Sequence, residues 1–341
     1  MFRLKINLFH QEFQQEKTIK KMLGAIIGDV VGSQFESINY ASKDMMFKDY
    51  HFEYLTDKCR PTDDTVLSIA VAEFLLENKK ELLATKLKEY GRKYPDAGYG
   101  GSFLNWLASD NEEPYNSYGN GSAMRVSSVG WLFNTREDVL KYAEITANPT
   151  HNHPEGVKGA QAIALAILLA RKGEPKEQIK YDIETSFGYD LNRTLDEIRP
   201  TYEFSATCQL TVPEAIIAFL ESENFEDCLR KAISIGGDSD TIACMACSIA
   251  EAYYGLENIP ENLLQGTLYI LYTKHPELHE KAIAIYCRTN SNMGTSTHVP
   301  YKCSYSIVHA AYPDAPANAV PAHPGHIWLY KSHPAINIRG G

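Results

Sequence analysis

The stretch Gly236-Gly237-Asp238-Ser239-Asp240-Thr241 places two carboxylates and a hydroxyl on a tight turn and follows them at once with an apolar run. A second stretch, Thr62-Asp63-Asp64-Thr65, has the same character far upstream. Both fall where a helix should begin: Ile242 to Tyr254 is apolar nearly all round, and Val66, Ile69, Ala70 and Phe74 recur at helical spacing. Asp, Ser and Thr are favoured N-cap residues, and acidic groups suit the positive end of a helix dipole. Capping, however, uses one side-chain oxygen, and neighbouring carboxylates such as Asp63 and Asp64 repel unless a cation or hydrogen bonds hold them. Surplus acid at two helix starts suggests one shared site for a hard cation, because Mg²⁺ and Mn²⁺ take carboxylate and hydroxyl oxygens. Spacing alone leaves plain capping open.

Other motifs lie in order around these clusters. Gly24-Ala25-Ile26-Ile27-Gly28-Asp29 leads to Glu36, and Gly119-Asn120-Gly121-Ser122-Ala123-Met124-Arg125 and Thr150-His151-Asn152-His153 separate the two acidic stretches. This ordered set resembles the ADP-ribosylglycohydrolase family, from about Lys21 to about Ala284. The resemblance implies a binuclear Mg²⁺ or Mn²⁺ centre, with Thr62, Asp63 and Asp64 as ligands of one metal and Asp238, Asp240 and Thr241 as ligands of its partner. It further implies that Glu36 lies beside the metals and gates the pocket. Gly119, Asn120, Gly121 and Ser122 would lie against the diphosphate and ribose, and His151 would contact the ADP-ribose. Glu36, Asp63, Asp238 and Asp240 are then the candidate catalytic carboxylates; the sequence leaves open which takes a proton from water.

Those residues must be held by a scaffold, and the chain of 341 residues is long enough for a sizeable core. Helix-type patterning dominates and strand patterning is scarce, so the expected fold is all-α: one large orthogonal helical bundle with the metal site at converging helix N-termini. We expect three segments: an N-terminal extension at 1–20, the main domain at 21–286, and a tail at 287–341 whose Pro, His and Ser content suggests poor order. Phe2, Leu4, Ile6 and Leu8 alternate like a strand, as a short packing arm would. In the tail, His298, His309, His323, His326 and His333 follow no metal-ligand spacing.

Within the main domain, Ile19 to Val31 is expected to be helical, with Gly24, Gly28 and Gly32 forming a smooth stripe for close packing. Asp29 faces away from that stripe, with its role open between a buried hydrogen-bonding carboxylate, the favoured reading, and a catalytic group, and Glu36 follows in non-helical sequence. The helix after Asp64 should run into Glu77 to Lys93, whose charges suggest a solvated face. Tyr94 to Gly101 and Asp110 to Gly121 read as loops with backbone amides available to phosphate, without the ending of a Walker loop. Pro154 suits the first position of a helix over Glu155 to Ala170, ended by Gly173, with His153 either a cap or a ligand. Helices are also expected over Pro175 to Ser186, Pro213 to Ser222 and Asn224 to Ile235.

A net charge of −10 disfavours nonspecific binding to nucleic acid, which needs a basic face. Seven scattered cysteines form no disulfide spacing, and the Cys244–Cys247 pair fits small core residues better than zinc ligands. No run reaches the roughly 20 apolar residues of a membrane span, and a soluble, cytoplasmic protein is expected. The expected function is metal-dependent hydrolysis of the bond between ADP-ribose and an acceptor side chain on an ADP-ribosylated protein, with ADP-ribose as product. The alternatives are a catalytically silent ADP-ribose-binding, immunity or structural protein on the same fold, and a two-metal phosphohydrolase.

Overall fold

A computed structural model describes residues 22–41, 46–77 and 82–288, with side chains to residue 285. The readings made for residues 1–20 and for the histidine-rich tail lie outside them. The described part is built from helices: α1 (Leu23–Ala41), α2 (Asp63–Glu77), α3 (Leu83–Lys93), α4 (Gly101–Ala108), α5 (Gly121–Met124), α6 (Ser127–Leu132), α7 (Arg136–Ala147) and α8 (Pro154–Arg171). They continue with α9 (Lys176–Phe187), α10 (Leu195–Ile198), α11 (Cys208–Leu220), α12 (Phe225–Ile233), α13 (Ser239–Tyr254), α14 (Glu261–Lys274) and α15 (Pro276–Arg288). Among the described residues there is no strand, only one antiparallel bridge between Gly119 and Thr207. The all-α expectation holds.

Helix α13 is the axis of the domain. Every residue from Ser239 to Glu251 is buried, because α1, α8, α11 and α12 all pack on it. An all-round apolar sequence such as Ile242 to Ala250 has no solvated face to offer, so it becomes the core. The glycine stripe of α1 lies directly against it. A Cβ added at Gly24 would sit 2.4 Å from the Cys247 carbonyl oxygen, at Gly28 2.2 Å from that of Ala243, and at Gly32 2.5 Å from Asp240 Cα. The two backbones therefore approach as closely as hydrogen side chains permit, which aligns the start of α13 with the middle of α1. Cys244 and Cys247 are buried on α13, in keeping with small core residues.

Several boundaries differ from the sequence expectation. Helix α1 starts at Leu23 and continues through Glu36 to Ala41, so Glu36 is helical and not in a loop. No proline interrupts this stretch, and tertiary contacts hold its last turns. Phe35 stacks on Phe47 at 4.0 Å, and Asn39 Nδ2 donates to the Gly237 carbonyl at 2.9 Å while Asn39 Oδ1 accepts from Phe47 N at 2.6 Å. The stretch expected as one run to Lys93 is two helices, α2 and α3, and its charges are not all solvated. Lys86 is buried between Glu73 and Glu77 at 3.0 and 3.2 Å, and Lys88 donates to the Trp106 and Ser109 carbonyls at 2.8 and 2.6 Å. The residues from Gly101, left outside any helix in the sequence reading, form α4.

Pro213 does not start a helix but lies inside α11, which begins at Cys208. The bond it cannot donate belongs to the carbonyl of Gln209, an exposed position where water can take its place. Other signals match: Pro154 occupies the first turn of α8, Gly173 has φ +79° just past its end, and Asn224 Oδ1 caps α12 by accepting from Asp227 N. Among the described residues no helix is long and apolar enough to cross a membrane.

Candidate metal centre and substrate loop

Three helix starts and the middle of α1 meet at one place. Gly236 and Gly237, at φ +84° and +68°, make the left-handed turn that delivers Asp238 to the N-cap of α13. Asp238 makes no side-chain cap hydrogen bond; its Oδ2 instead accepts from Asn120 Nδ2 at 2.7 Å. Plain capping therefore does not explain this carboxylate. One residue on, Asp240 Oδ1 accepts from Thr241 N at 2.9 Å, and Thr241 Oγ1 donates across to Asp64 Oδ2 at 3.1 Å. That bond joins the starts of α2 and α13, separated by 177 positions in sequence.

Asp29 on α1 completes the joint. Its Oδ1 accepts from Thr62 Oγ1 at 2.6 Å, and its Oδ2 accepts from the Thr62 and Thr65 amides at 3.0 Å each and from the Thr65 hydroxyl. The expectation of a buried hydrogen-bonding carboxylate is met. In addition, carboxylate oxygens of Asp29, Asp64 and Asp240 lie within 4.8 Å of one another, as do those of Glu36, Asp238 and Asp240. Asp240 is common to both groups. Asp63 belongs to neither, although its carboxyl faces Asp29 and Glu36 electrostatically. Asp29 is thus a member of the acidic cluster that motif spacing did not single out. Its one visible signal is a lone acid within the apolar run Ala25 to Val31.

Burial raises all of these acids, and repulsion from neighbouring acids adds to it for all but Asp29. Burial, with Asp240 next, pushes Asp64 well above the ordinary carboxyl range, and burial with Asp238 does the same to Asp240. Burial pushes Asp63 up to about 7 and Asp238 up to about 6, the latter opposed by hydrogen bonds from Asp240 and Asn120. Glu36 rises to about 8 through burial and the charge of Asp240, against the pull of Arg60, whose guanidinium is 3.8 Å from its Oε2. Asp29 is raised by burial despite its four donors.

This donor set fits hard divalent cations. It consists of carboxylate and hydroxyl oxygens, it shares one member between two groups, and Asp64 Oδ1 is buried with no hydrogen-bond partner. A buried carboxylate oxygen left unpaired is strongly disfavoured unless a cation receives it.

The charge pattern makes a checkable statement about stability without cations. Carboxyls whose pKa is raised on folding stabilise the fold where they are protonated, and that contribution is lost as pH climbs from the unfolded to the folded value. The unfolded values are 3.8 and 4.5, and the folded values are about 6 for Asp238, about 7 for Asp63 and about 8 for Glu36. In chelator, the melting temperature should fall from about pH 5 to about pH 8, and Mg²⁺ should flatten that fall. A flat profile in chelator would contradict the crowding of these acids.

The Gly119–Ser122 segment lies beside the acids. Asn120 N donates to the Ala206 carbonyl at 2.9 Å, so the turn is pinned from behind while the Asn120 side chain reaches Asp238. Ser122 is fully buried with its hydroxyl donating to the Gly156 carbonyl at 2.7 Å, which ties α5 to α8. His151 is buried against the same turn: a Cβ built on Gly121 would lie 3.0 Å from its Nε2. Burial and the nearby Arg125 push its pKa well below the ordinary value, so it is neutral. His153 instead caps α8, its Nδ1 accepting from Glu155 N at 3.1 Å.

The sequence profile of the ADP-ribosylglycohydrolase family matches residues 10–292. The chain belongs to the ADP-ribosylglycohydrolase family. It is 29% identical to the ADP-ribosylhydrolase ARH3 of Xenopus tropicalis over 334 aligned residues, covering 78% of this chain and 95% of that one. It is also 29% identical to the human ADP-ribosylhydrolase ARH3, covering 72% and 87% of the two chains. The ADP-ribosylarginine hydrolase Tri1 of Pseudomonas putida is 25% identical, covering 78% and 80%. Among solved structures, an ADP-ribosylglycohydrolase-related protein complex matches with a TM-score of 0.56 and 25% identity, over 79% of this chain and 96% of that one. As a member of this family the chain is a hydrolase acting on ADP-ribosyl groups.

Proposed function

We propose that this ADP-ribosylglycohydrolase cleaves the N- or O-glycosidic bond between C1″ of ADP-ribose and an acceptor side chain of an ADP-ribosylated protein, releasing ADP-ribose. The observation that carries the reading is the pair of carboxylate groups sharing Asp240, with the orphaned Asp64 oxygen between helix starts. The family relatives named for ADP-ribosyl and ADP-ribosylarginine hydrolysis support the substrate class. On this reading residues 21–286 form the catalytic unit, with 1–20 and 287–341 as appendages.

Thr62, Asp63, Asp64, Asp238, Asp240 and Thr241, joined by Asp29, would hold two Mg²⁺ or Mn²⁺ ions. Such ions supply Lewis acidity toward ribose hydroxyls and water. The remaining work falls to the chain. The Gly119 and Asn120 amides are taken by Ser117 Oγ and the Ala206 carbonyl, so on this reading the Gly121 amide and His151 hold the diphosphate, and the Asn120–Asp238 bond fixes the distance from that loop to the acids. On this reading the distal ribose would lie over Asp238 and Asp240, with C1″ toward Glu36. Glu36, the half-exposed acid of the group, is our assignment for the carboxylate that takes a proton from the attacking water as the glycosidic bond lengthens. Its raised pKa in the cation-free state drops once positive charge balances Asp240, leaving it a competent base.

The test is release of ADP-ribose from matched arginine-linked and serine-linked ADP-ribosyl peptides, with Mg²⁺, with Mn²⁺ and with chelator. Release from one linkage, lost in chelator, is the expected result. Absence of release from both, with folded and cation-loaded protein, would overturn the reading in favour of a silent ADP-ribose-binding protein.

A further inference from the structure

Behind the substrate loop runs a buried hydrogen-bond relay that the proposed reaction has not used. Arg125 and Thr150 are fully buried, and His151 is 5% exposed. Arg125 Nη2 donates to the Thr146 carbonyl at 3.0 Å and to Thr150 Oγ1 at 2.8 Å. Thr150 Oγ1 lies 2.7 Å from His151 Nδ1. The other ring nitrogen, Nε2, faces the loop, 3.0 and 3.5 Å from where a Cβ of Gly121 or Gly119 would stand.

Donor counting gives this relay a direction. A guanidinium has donors and no acceptor, so Thr150 Oγ1 must accept from Arg125. Beside Arg125, the hydrogen-bonded neighbour of this buried hydroxyl is Nδ1 at 2.7 Å, the acceptor to which its proton can go. His151 is neutral and carries a single ring proton, which must reside on Nε2. The opposite arrangement, with Nδ1–H donating to Thr150, would turn a bare Nε2 lone pair toward the loop where phosphate oxygens are to bind.

We propose that Arg125 and Thr150 are positioning residues that hold His151 in its Nε2-protonated tautomer, so that it presents a fixed N–H donor to an anionic oxygen of the ADP-ribosyl diphosphate. This rests on the reading of the loop as the diphosphate site. It explains why a cationic side chain is buried here with Nε and Nη1 unpaired: its contribution is made through Nη2, and its charge keeps the imidazole neutral beside it.

The experiment uses the full chain labelled with ¹⁵N at histidine, His151 being assigned by the signals lost in His151→Gln. The wild-type spectrum should show Nε2 as the protonated, pyrrole-type nitrogen and Nδ1 as the pyridine-type one. Thr150→Val, which keeps the shape and removes the hydroxyl, should give a mixture of tautomers and bind ADP-ribose roughly tenfold to a hundredfold more weakly. Thr150→Ser should restore both readouts, which a purely structural role would not require. Protonated Nδ1 in the wild type overturns the proposal, whether or not Thr150→Val folds, and so does an unchanged tautomer in a folded Thr150→Val. Wild-type protein that shows the expected tautomer but fails to bind ADP-ribose would instead count against the diphosphate reading of the loop.

Discussion

Asp240→Asn should lower kcat/KM for ADP-ribose release by roughly a thousandfold, because it removes one charge from both carboxylate groups at once. The amide keeps an oxygen for the Thr241 N–H, so the start of α13 keeps its local hydrogen bond. The same change should act on stability in the opposite sense. Asp240 sits 2% exposed among Asp29, Asp63 and Asp238, all of which raise its pKa. Removing its charge relieves repulsion, so in chelator the variant should melt higher than the parent, and added Mg²⁺ should no longer raise its melting temperature. Activity lost while cation-free stability is gained is the signature of a ligand. A variant with parental turnover would remove Asp240 from the site.

Gly28→Ala should destabilise the fold by about 3 kcal/mol or more. Its new Cβ would stand 2.2 Å from the Ala243 carbonyl oxygen and 2.4 Å from the carbonyl carbon. Both are backbone atoms in the buried part of α13, so no side-chain rotation relieves the overlap. Helices α1 and α13 must separate by about 1 Å to restore ordinary contact, and Asp29 and Asp240 ride on those two helices. Thermal unfolding should report the loss of stability, and activity of the remaining folded fraction should fall as the acids are drawn apart. A parental melting temperature would contradict the close approach of the two helices.

Much of this arrangement is legible in the chain because local chemistry dictates it. Two glycines before Asp238 give a turn, acids and hydroxyls give helix starts, and an apolar run without a polar face gives the buried axis. The Gly24, Gly28 and Gly32 spacing reveals a close approach, though not to which helix. What stays hidden depends on contacts distant in sequence. Asp29 joins the acidic cluster only because α1 lies on α13, and Thr62 and Thr65 meet it across 33 and 36 positions. The helical course of Glu36 depends on Phe35 stacking with Phe47 and on Asn39 bonding Gly237. Pro213 reads as a helix start by local rules, and its place inside α11 follows from the packing of Cys208 and Val212 against Gly159 of α8. Lys86 and Lys88 read as solvated until Glu73, Glu77 and two carbonyls are brought to them by the fold.

The central claim is that the acids meeting at Asp240 form a paired cation site. Calorimetric titration of Mn²⁺ into the chelator-treated, dialysed protein tests it most directly, with Mg²⁺ as competitor. Two ions per chain are expected, both lost in Asp240→Asn, with proton release on binding as the raised carboxyls ionise. A protein that binds no divalent cation, or binds the same number after Asp240→Asn, would contradict the account.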